Sequence, residues 1–303
     1  MNQTNSIQQL QSQFGKDPII RFDRGPGELV RLNIDAAQAQ ATIYLHGAHV
    51  AHYQLRGQRP VLFMSQASSF APGKPIRGGV PVIFPWFGPR AGDSAAPMHG
   101  FARLQPWQVE FTSVEADGSV RIILALGPTE FSRSLWPEDF ALRYIVQVGA
   151  SLDMSLEVRN TGARAFTFED ALHTYLSVGH VRQVRIEGLA GASYIDKTDA
   201  MKRKMQDGAE IQISAETDRL YLNTDATVTV TDPVLGRQLE VRKQGSQSTV
   251  VWNPWIAKAK AMADFGDDEW PNMVCIEAVN AADNALRLPP GQTHTLRQIL
   301  KAL

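Results

Sequence analysis

His173 lies in Phe168-Glu169-Asp170-Ala171-Leu172-His173-Thr174-Tyr175, with two carboxylates before it and a phenol after it. A carboxylate near an imidazole raises its pKa and keeps it a competent acid. The segment therefore suits a general acid, and equally a structural histidine with its hydrogen bonds satisfied. Glu277 is the most informative acid. In Val274-Cys275-Ile276-Glu277-Ala278-Val279, strand alternation puts Cys275, Glu277 and Val279 on one side. A carboxylate among apolar neighbours is costly unless it is paired or used, so Glu277 is either a general base with a raised pKa or half of a buried ion pair. Arg77 follows Lys74-Pro75-Ile76, and Arg103 closes His99-Gly100-Phe101-Ala102-Arg103. Two planar guanidinium groups brought together clamp a phosphate or carboxylate in bidentate fashion. Separate surface ion pairs are the alternative, and Arg90 is a weaker third candidate. Trp86, Trp252 and Trp255 could stack on a sugar ring or serve the core.

These side chains need a scaffold that brings distant segments together. Phe70 to Arg103 carries six of the seventeen prolines and six of the twenty-three glycines. Proline blocks both helix and ladder pairing, and Ile83, Phe84, Trp86, Phe87 and Phe101 argue against disorder. The stretch reads as an ordered loop wall around a pocket. Elsewhere the period is two, as in Leu29–Ile34, Leu142–Val148 and Leu152–Val158. Shorter runs follow at Val120–Leu126, Val184–Ile186, Thr227–Thr231, Leu239–Arg242, Val250–Trp252, Val274–Val279 and Thr295–Leu300. A helix is expected near the start, capped by Asn5 or Ser6 with Ile7, Leu10 and Phe14 at helical spacing, and a second at Trp255–Asp264. Many short strands with few helices predict an all-β antiparallel sandwich or barrel. No composition break divides it, so residues 1–303 read as a single domain with 1–20 as helix and lead-in.

Composition removes several classes of function. The 303 residues carry 30 basic and 31 acidic side chains, so no basic block invites nucleic acid, although a small anion needs only two or three local cations. The single cysteine, Cys275, excludes an intramolecular disulfide and a multi-cysteine metal site, and reads as a buried small hydrophobe. His46, His49 and His52 are close in sequence, but a strand would split them between two faces and no acidic ligand lies among them. No metal site is therefore expected. The first residues have no basic and apolar signal-peptide pattern, and no apolar run approaches the ~20 residues of a spanning helix. The chain is expected to be soluble, cytoplasmic and monomeric, without a membrane role.

The blocks Lys74-Pro75-Ile76-Arg77-Gly78-Gly79-Val80-Pro81, Phe84-Pro85-Trp86-Phe87-Gly88 and His99-Gly100-Phe101-Ala102-Arg103 resemble the hexose-6-phosphate mutarotases. These are the glucose-6-phosphate 1-epimerase branch of the aldose 1-epimerase family. The resemblance continues, in order, through Ala171-Leu172-His173-Thr174-Tyr175, Tyr194-Ile195-Asp196-Lys197, Glu216-Thr217-Asp218-Arg219, Trp252-Asn253-Pro254-Trp255 and Cys275-Ile276-Glu277. It implies a galactose-mutarotase-like sandwich of large antiparallel sheets with a few short helices. It also implies exchange of α and β anomers of a hexose 6-phosphate. On the family pattern His173 and Glu277 are the catalytic pair. Arg77, Arg103, Asp196, His99, Trp255 and the position of Met98 contact substrate. The family commonly has glutamine where this chain has Met98, and methionine cannot donate a hydrogen bond, so one sugar contact is lost or replaced.

The implied chemistry fits these residue types. A base removes the proton of the C1 hydroxyl, an acid protonates the ring oxygen, and the C1–O5 bond opens to the aldehyde. Rotation about C1–C2 and reclosure give the other anomer. Glu277 suits the base and protonated His173 the acid, with no cofactor required. Two other readings are a mutarotase for neutral aldoses and a non-catalytic carbohydrate-binding sandwich. Arg77 with Arg103 speaks against the first. The presence of both His173 and Glu277 speaks against the second, since a pure binder needs no acid–base pair.

Overall fold

The computed structural model describes residues 6–303. The first helix, Ile7–Phe14, is capped by Ser6, whose hydroxyl accepts from the Gln9 backbone while the Gln9 side chain accepts from the Ser6 N–H. The alternative cap, Asn5, lies outside the described residues. After this helix the chain is built from antiparallel strands.

Two large sheets dominate. The first runs in the order Lys202–Met205, Ser193–Asp196, Thr217–Leu222, Ser248–Asn253, Met273–Asn280, Asp170–Leu172 and Val82–Ile83, with Tyr175–Ser177 also paired to Met273–Asn280. The second has nine strands and includes Phe140–Val148, Leu152–Asn160 and Thr293–Ala302, the long segments with the clearest alternation. In Phe140–Val148 every second residue is buried, as one packed and one wetter face require. Met273–Asn280 is buried at every position, because it is central in the first sheet and both its faces are covered. The sheets are joined by one apolar cluster reaching from Leu10 to Leu300, and by Gln298, which accepts from the Thr174 hydroxyl and donates to the Ile276 carbonyl. A four-stranded sheet spanning Ile20 to Leu55 and a two-stranded antiparallel pair of sequence-distant segments, Phe166–Phe168 with Leu286–Leu288, are the remaining sheets among the described residues.

Two helical details differ from expectation. The late helix stops at Ala261 rather than Asp264. An additional helix, Glu130–Leu135, is nucleated by a reciprocal cap between Thr129 and Ser132, a local signal weaker than apolar periodicity. Among the described residues no helix is long and apolar enough to cross a membrane.

The proline-rich connection is pinned rather than loose. Gly79 adopts φ +57°, and a Cβ there would lie 2.3 Å from the Val50 carbonyl oxygen. Only glycine lets the chain pass so close to the neighbouring strand. The same holds for Gly100 at φ +71°, where a Cβ would meet the Phe84 carbonyl at 2.0 Å. These two contacts hold the segments that carry Arg77 and His99.

Candidate active site

Leu172 pairs with Ala278 and Tyr175 with Cys275, so the uninterrupted register places His173 directly across from Glu277. Cross-strand neighbours on one face are close enough to touch, and His173 Nδ1 lies 3.4 Å from Glu277 Oε1. Both side chains are buried. The same register continues sideways: Tyr175 faces Cys275, Cys275 faces Trp252, and Trp252 faces Asp218. Asp196 pairs with Arg219, which puts Lys197 opposite Asp218, and their charged ends are 3.4 Å apart. One face of the sheet thus presents His173, Glu277, Tyr175, Cys275, Trp252, Asp218 and Lys197.

The loops supply the remaining walls. Tyr175 stacks on His173 with ring centres 4.8 Å apart, and its hydroxyl accepts from Arg77 at 2.9 Å. Arg77 also donates to Asp264 at 3.0 Å. The buried Arg103 donates to the Met98 carbonyl at 2.8 Å. It has no carboxylate within ion-pair distance among the described residues, and the Nε of each arginine has no hydrogen-bond partner. His99 turns its ring edge toward His173 at 5.7 Å. Its Nδ1 accepts from the Gly88 N–H, which fixes the proton on Nε2 and aims a donor away from the loop. Phe87 packs on His99 and lies beneath the Lys197 ammonium, 4.5 Å from the ring centre.

Four expectations change. Asp196, expected as a substrate contact, does not face the His173–Glu277 side: it alternates to the face opposite Lys197, and its carboxylate is taken by Lys204 at 2.7 Å and by Thr198. Asp218, from the block Glu216-Thr217-Asp218-Arg219, is the second acid on the site face beside Glu277. Trp255 is likewise committed elsewhere. Its ring packs at a tilt against Trp270, centres 4.4 Å apart, under the Arg182 guanidinium, whereas Trp252 lies 5.9 Å from His173. Met98 has an exposed side chain, and its backbone carbonyl rather than its sulfur takes part, by holding Arg103.

The fourth change concerns charge. Burial pushes the His173 imidazole well below its usual range, and the nearby Arg103 and Arg77 push it the same way. Burial pushes Glu277 well above the carboxylate range, opposed by the attraction of Lys197. Both shifts run against the charged forms, toward neutral imidazole and a carboxyl that holds its proton more tightly, rather than toward the imidazolium expected from sequence, because desolvation outweighs the attraction of a single carboxylate. Arg103 is itself pushed down to about 10 by burial and by Arg77, so the two guanidinium groups repel each other across the site. Arg90 is no part of this clamp: it donates to the Leu135 carbonyl and lies over Trp86. His46 bonds the Lys74 carbonyl, and His49 is enclosed and held neutral, its pKa lowered to about 3 by burial. The three neighbouring histidines do not converge.

Residues 28–301 match the family model described as aldose 1-epimerase. The chain belongs to the aldose 1-epimerase family. Curated relatives named "Putative glucose-6-phosphate 1-epimerase" include one from Cenchrus ciliaris, 35% identical over 94% of this chain and 88% of that protein. Another, from Escherichia coli K12, is 37% identical over 84% of this chain and 85% of that protein. The crystal structure of a "putative mutarotase" from Salmonella typhimurium superposes with a TM-score of 0.88 at 31% identity, covering 94% of both chains. A galactose mutarotase-like protein from Clostridium acetobutylicum shares the fold alone, with a TM-score of 0.70 at 13% identity over 94% of this chain and 98% of that one. This aldose 1-epimerase family member has the galactose-mutarotase-like antiparallel sandwich, and mutarotation is the family's chemistry.

Proposed function

We propose that this enzyme interconverts the α and β anomers of a hexose 6-phosphate, glucose 6-phosphate first among them, and does so without a cofactor. The observation that carries the reading is Arg103, a buried guanidinium with no carboxylate partner among the described residues, next to Arg77. A buried cation without a counter-ion is costly; a phosphate dianion supplies one to Arg103 and can bond Arg77, already paired with Asp264, at the same time. The names of the curated relatives support the same substrate class.

In this reading Glu277 takes the proton of the C1 hydroxyl while His173 delivers one to the ring oxygen. The C1–O5 bond opens, the aldehyde turns, and reverse transfers close the ring. The base must first lose its own proton, and the acceptor is His173, 3.4 Å away. Arg77 and Arg103 oppose that transfer in the free enzyme. Bound phosphate cancels their field, so the anchor at C6 also brings the pair into its working charge state. His99 through Nε2–H, Asp218 and Lys197 are placed to meet ring hydroxyls, and Trp252 offers its ring beside His173.

The test is anomer exchange followed by NMR on glucose 6-phosphate, galactose 6-phosphate, glucose and galactose. Rapid exchange of a phosphosugar with slow exchange of its neutral counterpart is expected. Equal rates on both would replace this reading with the neutral-aldose one.

A further inference from the structure

We propose that His173, Cys275 and Glu277 together form a binding site for a borderline-soft divalent cation such as Zn²⁺, which inhibits the enzyme by capturing its acid–base pair. The three residues each point one ligand atom into the same space, all within 4.8 Å of one another. They do so because Cys275 and Glu277 are two apart on one strand, with His173 across from Glu277. His173 Nδ1 and Glu277 Oε2 have no hydrogen-bond partner, although both side chains are more than nine-tenths buried.

The donor set and spacing both suit the ion. Imidazole nitrogen, thiolate and carboxylate are the ligand types of zinc sites that keep a fourth position open. Two N/O ligands at about 2.0–2.1 Å on a tetrahedral ion lie about 3.3 Å apart, and His173 Nδ1 to Glu277 Oε1 is 3.4 Å. A Zn–S bond of about 2.3 Å sets the sulfur about 3.6 Å from either partner, so from a separation of at most 4.8 Å each distance has about 1.2 Å or less to close. Binding forms bonds from the metal to nitrogen, sulfur and oxygen. It releases to solvent the thiol proton and the proton on the carboxyl, with no change of oxidation state. The route in is the opening that admits C1 of the sugar, so metal and substrate exclude each other.

This inference holds whichever aldose is turned over, and its spectroscopic arm needs no turnover at all. Cd²⁺ added to the purified protein should produce the ultraviolet charge-transfer band of a cadmium thiolate, saturating at one equivalent. The band should be absent from C275A and from C275S, and suppressed by a saturating concentration of whichever of the four sugars the exchange assay shows to be turned over. In the exchange assay Zn²⁺ should inhibit the parent, and the concentration for half-inhibition should rise at least about tenfold in C275A and C275S, each referred to its own uninhibited rate. Absence of the cadmium band in the parent overturns the proposal. So does equal zinc sensitivity in the parent and in whichever cysteine variant folds.

Discussion

His173 faces Glu277 across an antiparallel strand pair, Nδ1 to Oε1 3.4 Å, with neither side chain open to solvent. Strand register, a property of whole segments, sets this distance, so it withstands changes in the loops above. Burial disfavours the charged form of both groups, so the charge state of the pair depends on what binds nearby.

His173→Asn and Glu277→Gln should each lower anomer exchange at least about 100-fold, the lower range for a lost proton transfer. Both swaps retain size and polarity. Thermal unfolding of each variant, run alongside NMR exchange, should show a folded protein. A folded variant with near-parental rate removes that residue from its role.

Arg77→Ala and Arg103→Ala should raise KM for glucose 6-phosphate by about 10–150-fold, since each charge-assisted hydrogen bond contributes about 1.5–3 kcal/mol. Exchange of glucose should change much less. Arg77 also ties Tyr175 to Asp264, so circular dichroism must accompany its kinetics. Steady-state rates on both sugars decide the matter: equal losses would mean that the arginines hold the ring or the fold.

Phosphate need not be attached to the sugar to act on the pair. Inorganic phosphite, small enough to sit on Arg77 and Arg103 beside glucose, should speed the exchange of glucose. It should have no such effect in Arg103→Ala. Progress curves with and without phosphite measure this directly. Simple competition by phosphite, without activation, would confine the arginines to anchoring.

Asp170 gives a pH signature of stability. Its carboxyl is fully buried, bonded on one oxygen by Asn280 with the other unpartnered, and burial pushes its pKa from 3.8 to about 7. The folded protein holds a proton there that the unfolded chain has already released between those values. Stability from this group therefore falls as pH rises from about 4 to 7 and is level above. The effect is a few kcal/mol in order of magnitude. Asp170→Asn should flatten that slope, and urea unfolding of parent and variant at pH 5 and pH 8 measures it. Parallel pH profiles would mean that the carboxyl is ionised in the native state.

Much of this was legible in the chain. The Ser6 cap, the alternation of Leu142–Val148 and Leu152–Val158, and the side of the strand shared by Cys275 and Glu277 are local properties. Backbone geometry enforces them within a few residues. The ordered blocks around Arg77, Arg103, His173 and Glu277 likewise pointed to the family. Three matters were decided only in three dimensions. Asp218 rather than Asp196 looks into the site, because the pairing of three strands chooses which of two alternating faces is inward. Trp252 rather than Trp255 lies beside His173, because Trp270 and Arg182, distant in sequence, hold the other ring. His173 rests neutral because its charge answers to everything around it. Desolvation by the closed sheet and the field of two loop arginines add over space, and no window of sequence contains that sum.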